Sequence, residues 1–409
     1  MALLRSTRAA AVPRFQPLWH SSRTPCHPGP VSGIATKSLM EPLTRANLAW
    51  LADFRPHRLL RNGHAQTLAG NYWRRRPFQL KSESQAVLVD ESDGSRVLCH
   101  CHWQPESIRA SHLTILLVHG LEGSSESRYM RGIAQYAFEA GCNVIRMNMR
   151  NCGGTEDWTP TLYHSGLSSD VYTVLRFFVA RHGLQRVAMA GYSMGGNLVL
   201  KLAGELAGDA PPWLTAAVAV SPAMDLAPSA DALHEPANRA YEWHFLRNLM
   251  NRYRRKAALF PDRYAAEPPE AIRSIREFDD RITAPHSGFT SADDYYDRAS
   301  SARVASSIRI PSLILHALDD PFIRMLPATR QALLLNPATH LIETAHGGHC
   351  AFLAAVPQAK SGAAREGNLS RHWAETTLVQ FLLSVPANAA SPQSILDKTH
   401  QDKAHSHGS

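Results

Sequence analysis

No stretch of the 409 residues reaches the roughly 18–20 consecutive apolar side chains that a bilayer-crossing helix needs. A membrane-spanning chain is therefore not expected. Cysteine is sparse and scattered: Cys26, Cys99, Cys101, Cys142, Cys152 and Cys350 do not make a disulfide framework, and a reducing compartment is the simpler setting. Ligand pairs at zinc spacing are lacking as well. Cys99, His100, Cys101 and His102 run together, but they follow the Asp93-Gly94 turn and fall in 96–103, which reads as a strand. Strand neighbours point to opposite faces, so the two cysteines share one side and the two histidines the other. No second pair follows, and no metal site is expected.

Acidic residues are absent from positions 1–39, which hold Arg5, Arg8, Arg14, Arg23 and Lys37. Those five make up most of the formal net charge of +8 and leave the rest of the chain near balance. Charge therefore gives no ground for nucleic-acid binding, which needs basic residues gathered on a folded face. The composition of 1–39 fits an organellar transit peptide, a disordered leader, or a start placed ahead of Met40. Residues 386–409 are polar and read as a disordered tail. One domain is expected over 40–385, in the cytoplasm, or in an organelle if the leader is a transit peptide. The densest basic cluster in it, Arg252, Arg254, Arg255 and Lys256, reads as a solvated helix face. Peripheral contact with anionic lipid headgroups is the alternative.

The chain does have a hydrophobic fraction of 44% and a regular alternation of elements. Residues 40–85 carry few regular signals, and short strands follow at 85–89 and 96–103. Buried strands then read at 113–118, 143–147, 186–190 and 214–220, separated by helical patterns at 129–140, 166–180 and 197–207. Repeated βα units predict a mostly parallel sheet flanked by helices. Residues 224–300 break the pattern with helix-like pieces and read as a cap inserted before strands at 312–316 and 339–342. A last helix is expected near 372–383. In the cap, Trp243, Phe245, Leu246, Leu249 and Met250 read as core rather than as a groove.

The segment Ala190-Gly191-Tyr192-Ser193-Met194-Gly195-Gly196-Asn197 is a Gly-x-Ser-x-Gly motif between a buried strand and a helix. That context is what a nucleophile elbow requires, and the helix N-terminus favours negative charge at the serine. A second turn, Val118-His119-Gly120-Leu121, follows the strand at 113–118. The backbone N–H groups of Leu121 and Met194 are the expected oxyanion donors. His119 is expected to pack or hydrogen-bond within its own turn.

A serine hydroxyl needs a base, and in this fold the chain order is serine, acid, histidine. The acid belongs after the strand at 312–316, where Asp319 and Asp320 are adjacent. Asp320, just before Pro321, is preferred, with Asp319 the alternative. The histidine belongs after the last strand, in Ala345-His346-Gly347-Gly348-His349-Cys350-Ala351-Phe352. His349 is preferred over His346 because its flexible glycines let an imidazole reach the serine.

With these residues in place, the chain resembles the YheT-like hydrolases, bacterial relatives of the animal ABHD lipid hydrolases, from about residue 54 to 384. The resemblance also rests on Asn-Gly-His-Ala-Gln-Thr-Leu at 62–68 and Arg-Asn-Cys-Gly-Gly at 150–154. In the expected cap it rests on Phe-Asp-Asp-Arg-Ile-Thr-Ala-Pro at 278–285, Gly288-Phe289, and Tyr-Tyr-Asp-Arg-Ala-Ser-Ser at 295–301. It implies an α/β-hydrolase fold and a carboxylic-ester hydrolase acting on acyl or lipid esters. Lipid-remodelling relatives bear a His-x4-Asp acyltransferase motif, but here Ala354 stands at the fifth place after His349.

The expected chemistry is double displacement through an acyl-enzyme on Ser193, with His349 as base and Asp320 as its orienting acid. It requires no metal or organic cofactor. Acyl transfer by the same triad and a non-catalytic binding module on a hydrolase fold are the rival readings. A dehalogenase would need a carboxylate where Ser193 stands.

Overall fold

A computed structural model of the chain describes residues 54–73, 75, 77–265, 272–355 and 371–386. The expected leader over 1–39 and the tail beyond 386 lie outside these residues. The described chain begins with helix α1 (Gly63–Tyr72), strands β1 (Glu83–Asp90) and β2 (Ser95–His102), and one turn of helix, α2 (Glu106–Arg109). Four βα units follow. They are β3 (Thr114–Val118) with α3 (Arg128–Glu139), β4 (Asn143–Met147) with α4 (Ser168–His182), β5 (Val187–Tyr192) with α5 (Met194–Leu206), and β6 (Leu214–Val220) with the first of the cap-region helices. Those helices are α6 (Leu226–His234), α7 (Arg239–Leu259), α8 (Ile275–Phe278), α9 (Ala284–His286) and α10 (Ala292–Ala299). The chain then returns to the sheet through β7 (Ser312–Ala317), α11 (Pro327–Leu335) and β8 (Thr339–Thr344), and ends in α12 (Trp373–Ser384).

The eight strands form one sheet in the order β1-β2-β4-β3-β5-β6-β7-β8. The pairs β1/β2 and β2/β4 are antiparallel and the remaining pairs are parallel. Every residue of β3 through β7 is buried, because helices cover both faces. The period-two alternation sorts the side chains. Leu116, Val118 and Met189 pack with Phe178 of α4 and Leu198 of α5. Ile115, Leu117 and Ala190 point the other way, onto Ile133 of α3 and Leu378 and Phe381 of α12.

Register places the site. Val118 pairs with Gly191, Tyr192 with Val220, Val220 with Leu315, and Ala317 with Thr344. The carboxyl ends of β3, β5, β6, β7 and β8 are therefore level. The loops that leave them, carrying positions 119–121, 193, 221, 320 and 349, emerge along one edge of the sheet. That edge is where open α/β sheets bind ligands.

The helices between β6 and β7 build a third apolar cluster of their own, in which Leu226, Leu249, Tyr253, Phe278 and Tyr295 meet Phe322 and Ile323 from the loop after β7. Among the described residues, no helix is long and apolar enough to cross a membrane. Cys99 and Cys101 share one core face, as period two requires, while His102 on the other side contacts Arg146 Nε at 3.1 Å.

Two sequence expectations are corrected. Residues 63–72, in a segment with few regular signals, form α1. The Asn62 side chain caps its start, accepting from the N–H groups of His64 (3.0 Å) and Ala65 (3.2 Å). The basic cluster on α7 is not one solvated face. Arg254 and Arg255 are exposed, but Arg252 and Lys256 are buried. Lys256 donates to the carbonyls of Glu156 (3.0 Å) and Thr159, and Arg252 pairs with Glu122 at 3.0 Å. A buried cation needs such partners, and here they come from the loops that follow β3 and β4.

Candidate active site

Ser193 is the hinge between β5 and α5, with φ 53° and ψ −117°. A side chain in such a region costs on the order of 1–3 kcal/mol, held by the surrounding structure. Three features hold it. The Ser193 N–H donates to the Val220 carbonyl at 2.9 Å, and the Ser193 carbonyl accepts from Asn197 N–H at 3.0 Å. The turn also closes to distances that only glycine permits. A Cβ on Gly191 would stand 2.1 Å from the Gly195 carbonyl oxygen, and one on Gly195 would stand 2.3 Å from that of Val118.

The loop after β3 lies against this turn: a Cβ on Gly120 would sit 3.2 Å from Ser193 Cβ. Within the loop, Gly120 N–H donates to the Tyr129 hydroxyl (2.8 Å), Glu122 N–H to the Tyr163 hydroxyl (3.1 Å) and Gly123 N–H to the Gly120 carbonyl (3.0 Å). The Leu121 N–H, between them, makes no hydrogen bond among the described residues. His119 is fully buried, with Nδ1 donating to the Gly120 carbonyl (2.8 Å) and Nε2 accepting from Met149 N–H (3.1 Å). Both ring nitrogens are occupied, and burial pushes its pKa down to about 4. It holds the turn as a neutral ring.

Asp320 and His349 meet at 2.9 Å, His349 Nδ1 donating to Asp320 Oδ2. Asp320 Oδ1 accepts from the N–H groups of Phe322 (3.2 Å) and Ile323 (2.9 Å). Burial pushes the Asp320 carboxyl up, but the His349 charge, the hydrogen bond to it and those two N–H groups outweigh burial, and its pKa stands below the usual carboxylate value. For His349, burial pushes down, while Cys350 and Asp320, both bonded to the ring, push up by more, and its pKa stands above the ordinary histidine value. Asp319, the alternative acid, points elsewhere: its Oδ1 accepts from Gly348 N–H at 2.9 Å, and Oδ2 lies 3.5 Å from His346.

His349 Nε2 faces the Cys350 thiol at 3.5 Å. The Ser193 hydroxyl makes no hydrogen bond among the described residues. Phe322 covers the imidazole, with ring centroids 4.4 Å apart. Ser193, Met194 and Leu121 open onto a cavity whose far walls are α6, α7, α8 and α10. Leu162, Leu226, Leu233, Leu249, Phe278 and Ile323 make it mostly apolar. Of the stripe read as core, Phe245 and Leu249 line this cavity, while Trp243 is 61% exposed.

Sequence reasoning missed the support beneath the oxyanion-type turn. The Tyr163 hydroxyl donates to Glu122 Oε1 at 2.6 Å, and Arg252 bonds both Glu122 and the Asn151 carbonyl. Glu122 itself has φ 54°. The only sequence signal was the Arg-Asn-Cys-Gly-Gly segment, which does not announce its partner on α7.

A model of the alpha/beta hydrolase fold family matches residues 114–355. The Escherichia coli (strain K12) protein YheT is 33% identical over 307 residues, 74% of this chain and 87% of YheT. Phospholipase ABHD3 of Mus musculus is 29% identical over 287 residues, 68% of each chain. The monoacylglycerol lipase of Saccharomyces cerevisiae is 29% identical over 281 residues, 66% of this chain and 58% of that one. The family match at 114–355 runs through the strands β3 to β8 whose order and register set the site, and the chain belongs to the α/β-hydrolase family, in its YheT-like branch, as a hydrolase.

Proposed function

We propose that the chain is a serine esterase that cleaves acyl or lipid esters through an acyl-enzyme on Ser193. The observation that carries this reading is the Asp320–His349 pair, its acid buried and its imidazole 12% exposed, level along the sheet edge with the strained Ser193 turn and beside a cavity that opens on Ser193. His349 Nε2 takes the Ser193 proton as Oγ attacks the ester carbonyl. The N–H groups of Leu121 and Met194 hold the oxyanion, and the imidazolium then protonates the departing alcohol. Water, deprotonated by His349, releases the acid. Asp320 keeps the Nδ1–H tautomer and stabilises the charged ring. The Ser193–His349 hydrogen bond forms as substrate enters and Nε2 leaves the Cys350 thiol, since catalytic hydrogen bonds commonly tighten only in the complex.

The cavity wall supports an acyl substrate, because the aliphatic and aromatic side chains that line it with Ser193 gain free energy when they are covered by methylenes. The helices of 224–300 act as the cap that closes over it. The esterase, phospholipase and lipase names of the relatives fit the same class. Incubation with a fluorophosphonate, followed by peptide mapping, is expected to put the adduct on Ser193 and block turnover of p-nitrophenyl acyl esters. An adduct on another residue, or none on folded protein, would overturn the reading. Methanolysis products alongside acid, with methanol present, would measure how far the acyl-enzyme also transfers.

The outer face of α7 supports peripheral contact with an anionic lipid surface. Trp243 is exposed, with the Arg247 guanidinium 5.4 Å from its ring centroid, and Arg239 and Arg254 are also exposed. Glu242, the single acid of α7, is buried against His234. An aromatic residue among cations on the back of a cavity-lining helix suits an interface. Co-sedimentation with phosphatidylserine-containing vesicles is expected to fall about tenfold in Trp243→Ala/Arg247→Ala, with each Arg contributing roughly 1 kcal/mol. Equal sedimentation of variant and wild type would remove this contact.

A further inference from the structure

We propose that α1, upstream of the matched region 114–355, belongs to the catalytic apparatus, and that Thr67 is the positioning residue that holds His349 against Asp320. The inference rests on His349 being the base.

The loop from β8 to residue 353 is strained along its length. Gly348 (φ 57°), Cys350 (φ 63°) and Phe352 (φ 42°) all lie in the left-handed region, and two of them carry side chains. Such a loop keeps one conformation only where its surroundings over-determine it. Two adjacent residues of α1 do this. A threonine hydroxyl has one proton and two lone pairs. Thr67 spends the proton on the Gly63 carbonyl (2.7 Å), which aims its lone pairs outward, and there it accepts the His349 N–H at 2.8 Å. Gln66, fully buried, accepts from Leu353 N–H (2.9 Å) and donates to the Leu353 carbonyl (3.2 Å) and the Leu60 carbonyl (2.8 Å). The stretch 349–353 is thus pinned at both ends by one turn of helix.

The other side of the clamp joins the acid. Gly348 N–H donates to Asp319 Oδ1 at 2.9 Å, so consecutive N–H groups, of Gly348 and His349, are held by the neighbour of Asp320 and by α1. The first turn of α1 also rests directly on the acid loop: a Cβ on Gly63 would stand 1.8 Å from the Asp319 carbonyl oxygen. Thr67 touches no reacting atom. It acts through the backbone of His349, and the imidazole–carboxylate geometry is what it sets.

Thr67→Val keeps the shape and removes both functions of the hydroxyl. With p-nitrophenyl butyrate, kcat is expected to fall by about 10- to 100-fold at unchanged KM, the size expected when a catalytic group is displaced by about an ångström. The acid limb of the kcat/KM profile is expected to move to lower pH, because a loosened Asp320 contact no longer raises the His349 pKa. Thr67→Ser restores both. Wild-type kcat and an unmoved limb in Thr67→Val would overturn the proposal, as would a loss that Thr67→Ser leaves unrescued. If Thr67→Val does not fold, Thr67→Ala takes its place with the same readouts, and failure of both to fold assigns Thr67 to the fold alone and overturns the proposal. His349→Ala separates the two readings. If it is inactive while Thr67→Val behaves as wild type, only the clamp fails; if it retains turnover, the base assignment itself fails.

Discussion

Replacing Ser193 with alanine is expected to lower kcat for acyl-ester hydrolysis by about a millionfold, the usual scale for loss of a triad nucleophile, while the melting temperature stays where it was. The two halves of that expectation have different physical roots. Activity is lost because the attacking oxygen itself is removed, and the neighbouring Tyr192 side chain is buried in the core. Stability is kept because the Ser193 hydroxyl makes no hydrogen bond among the described residues, and alanine accepts φ 53° no worse than serine does. The turn is held by backbone contacts to Val220 and Asn197, which the substitution leaves intact. Residual turnover above about 1% would point to Cys350, whose sulfur is 3.5 Å from His349 Nε2 and could stand in as nucleophile. Ser193→Ala/Cys350→Ala separates that route from background.

Asp320→Asn carries the next largest effect, about 10⁴-fold in kcat, through the wrong imidazole tautomer and an unsupported imidazolium. The sign of its pH dependence follows from the site. In the wild type the His349 pKa is raised, so the neutral base is lost as pH falls through a value above 6.5, and the acid limb of kcat/KM lies above that point. Removing the Asp320 charge lowers the His349 pKa, and the limb is expected to move to lower pH even as the plateau drops. Asp319→Asn is the control. Its amide oxygen can still accept from Gly348 N–H, so a loss of no more than about tenfold is expected. A large loss in Asp319→Asn with a mild one in Asp320→Asn would reverse the assignment of the acid.

The sheet was legible because its signals are local. The continuous apolar runs of β3 and β6, the glycines around Ser193 and the helical stripe of α4 each encode burial through neighbours a few residues away. Chain order then separated the three loops bearing Ser193, Asp320 and His349, and the register of β5 through β8 brings them to one edge.

What the tertiary structure alone decided depends on partners far along the chain. Asp319 and Asp320 are adjacent and chemically alike, and only the path of the His349 loop, 29 residues on, assigns one to the imidazole and the other to Gly348. Arg252 and Lys256 look like their exposed neighbours on α7, and their burial follows from Glu122, 130 residues away, and from Thr159, 97 residues away. α1 carries too weak an apolar pattern to read as a helix. Its purpose lies in hydrogen bonds across 282 residues, from Thr67 to His349. Sequence by itself determined the strands of the sheet and the helices that flank them, since propensity and periodicity are properties of short windows. Which polar groups those elements bury against one another was decided only by the fold, because a buried hydrogen bond needs both of its partners in place.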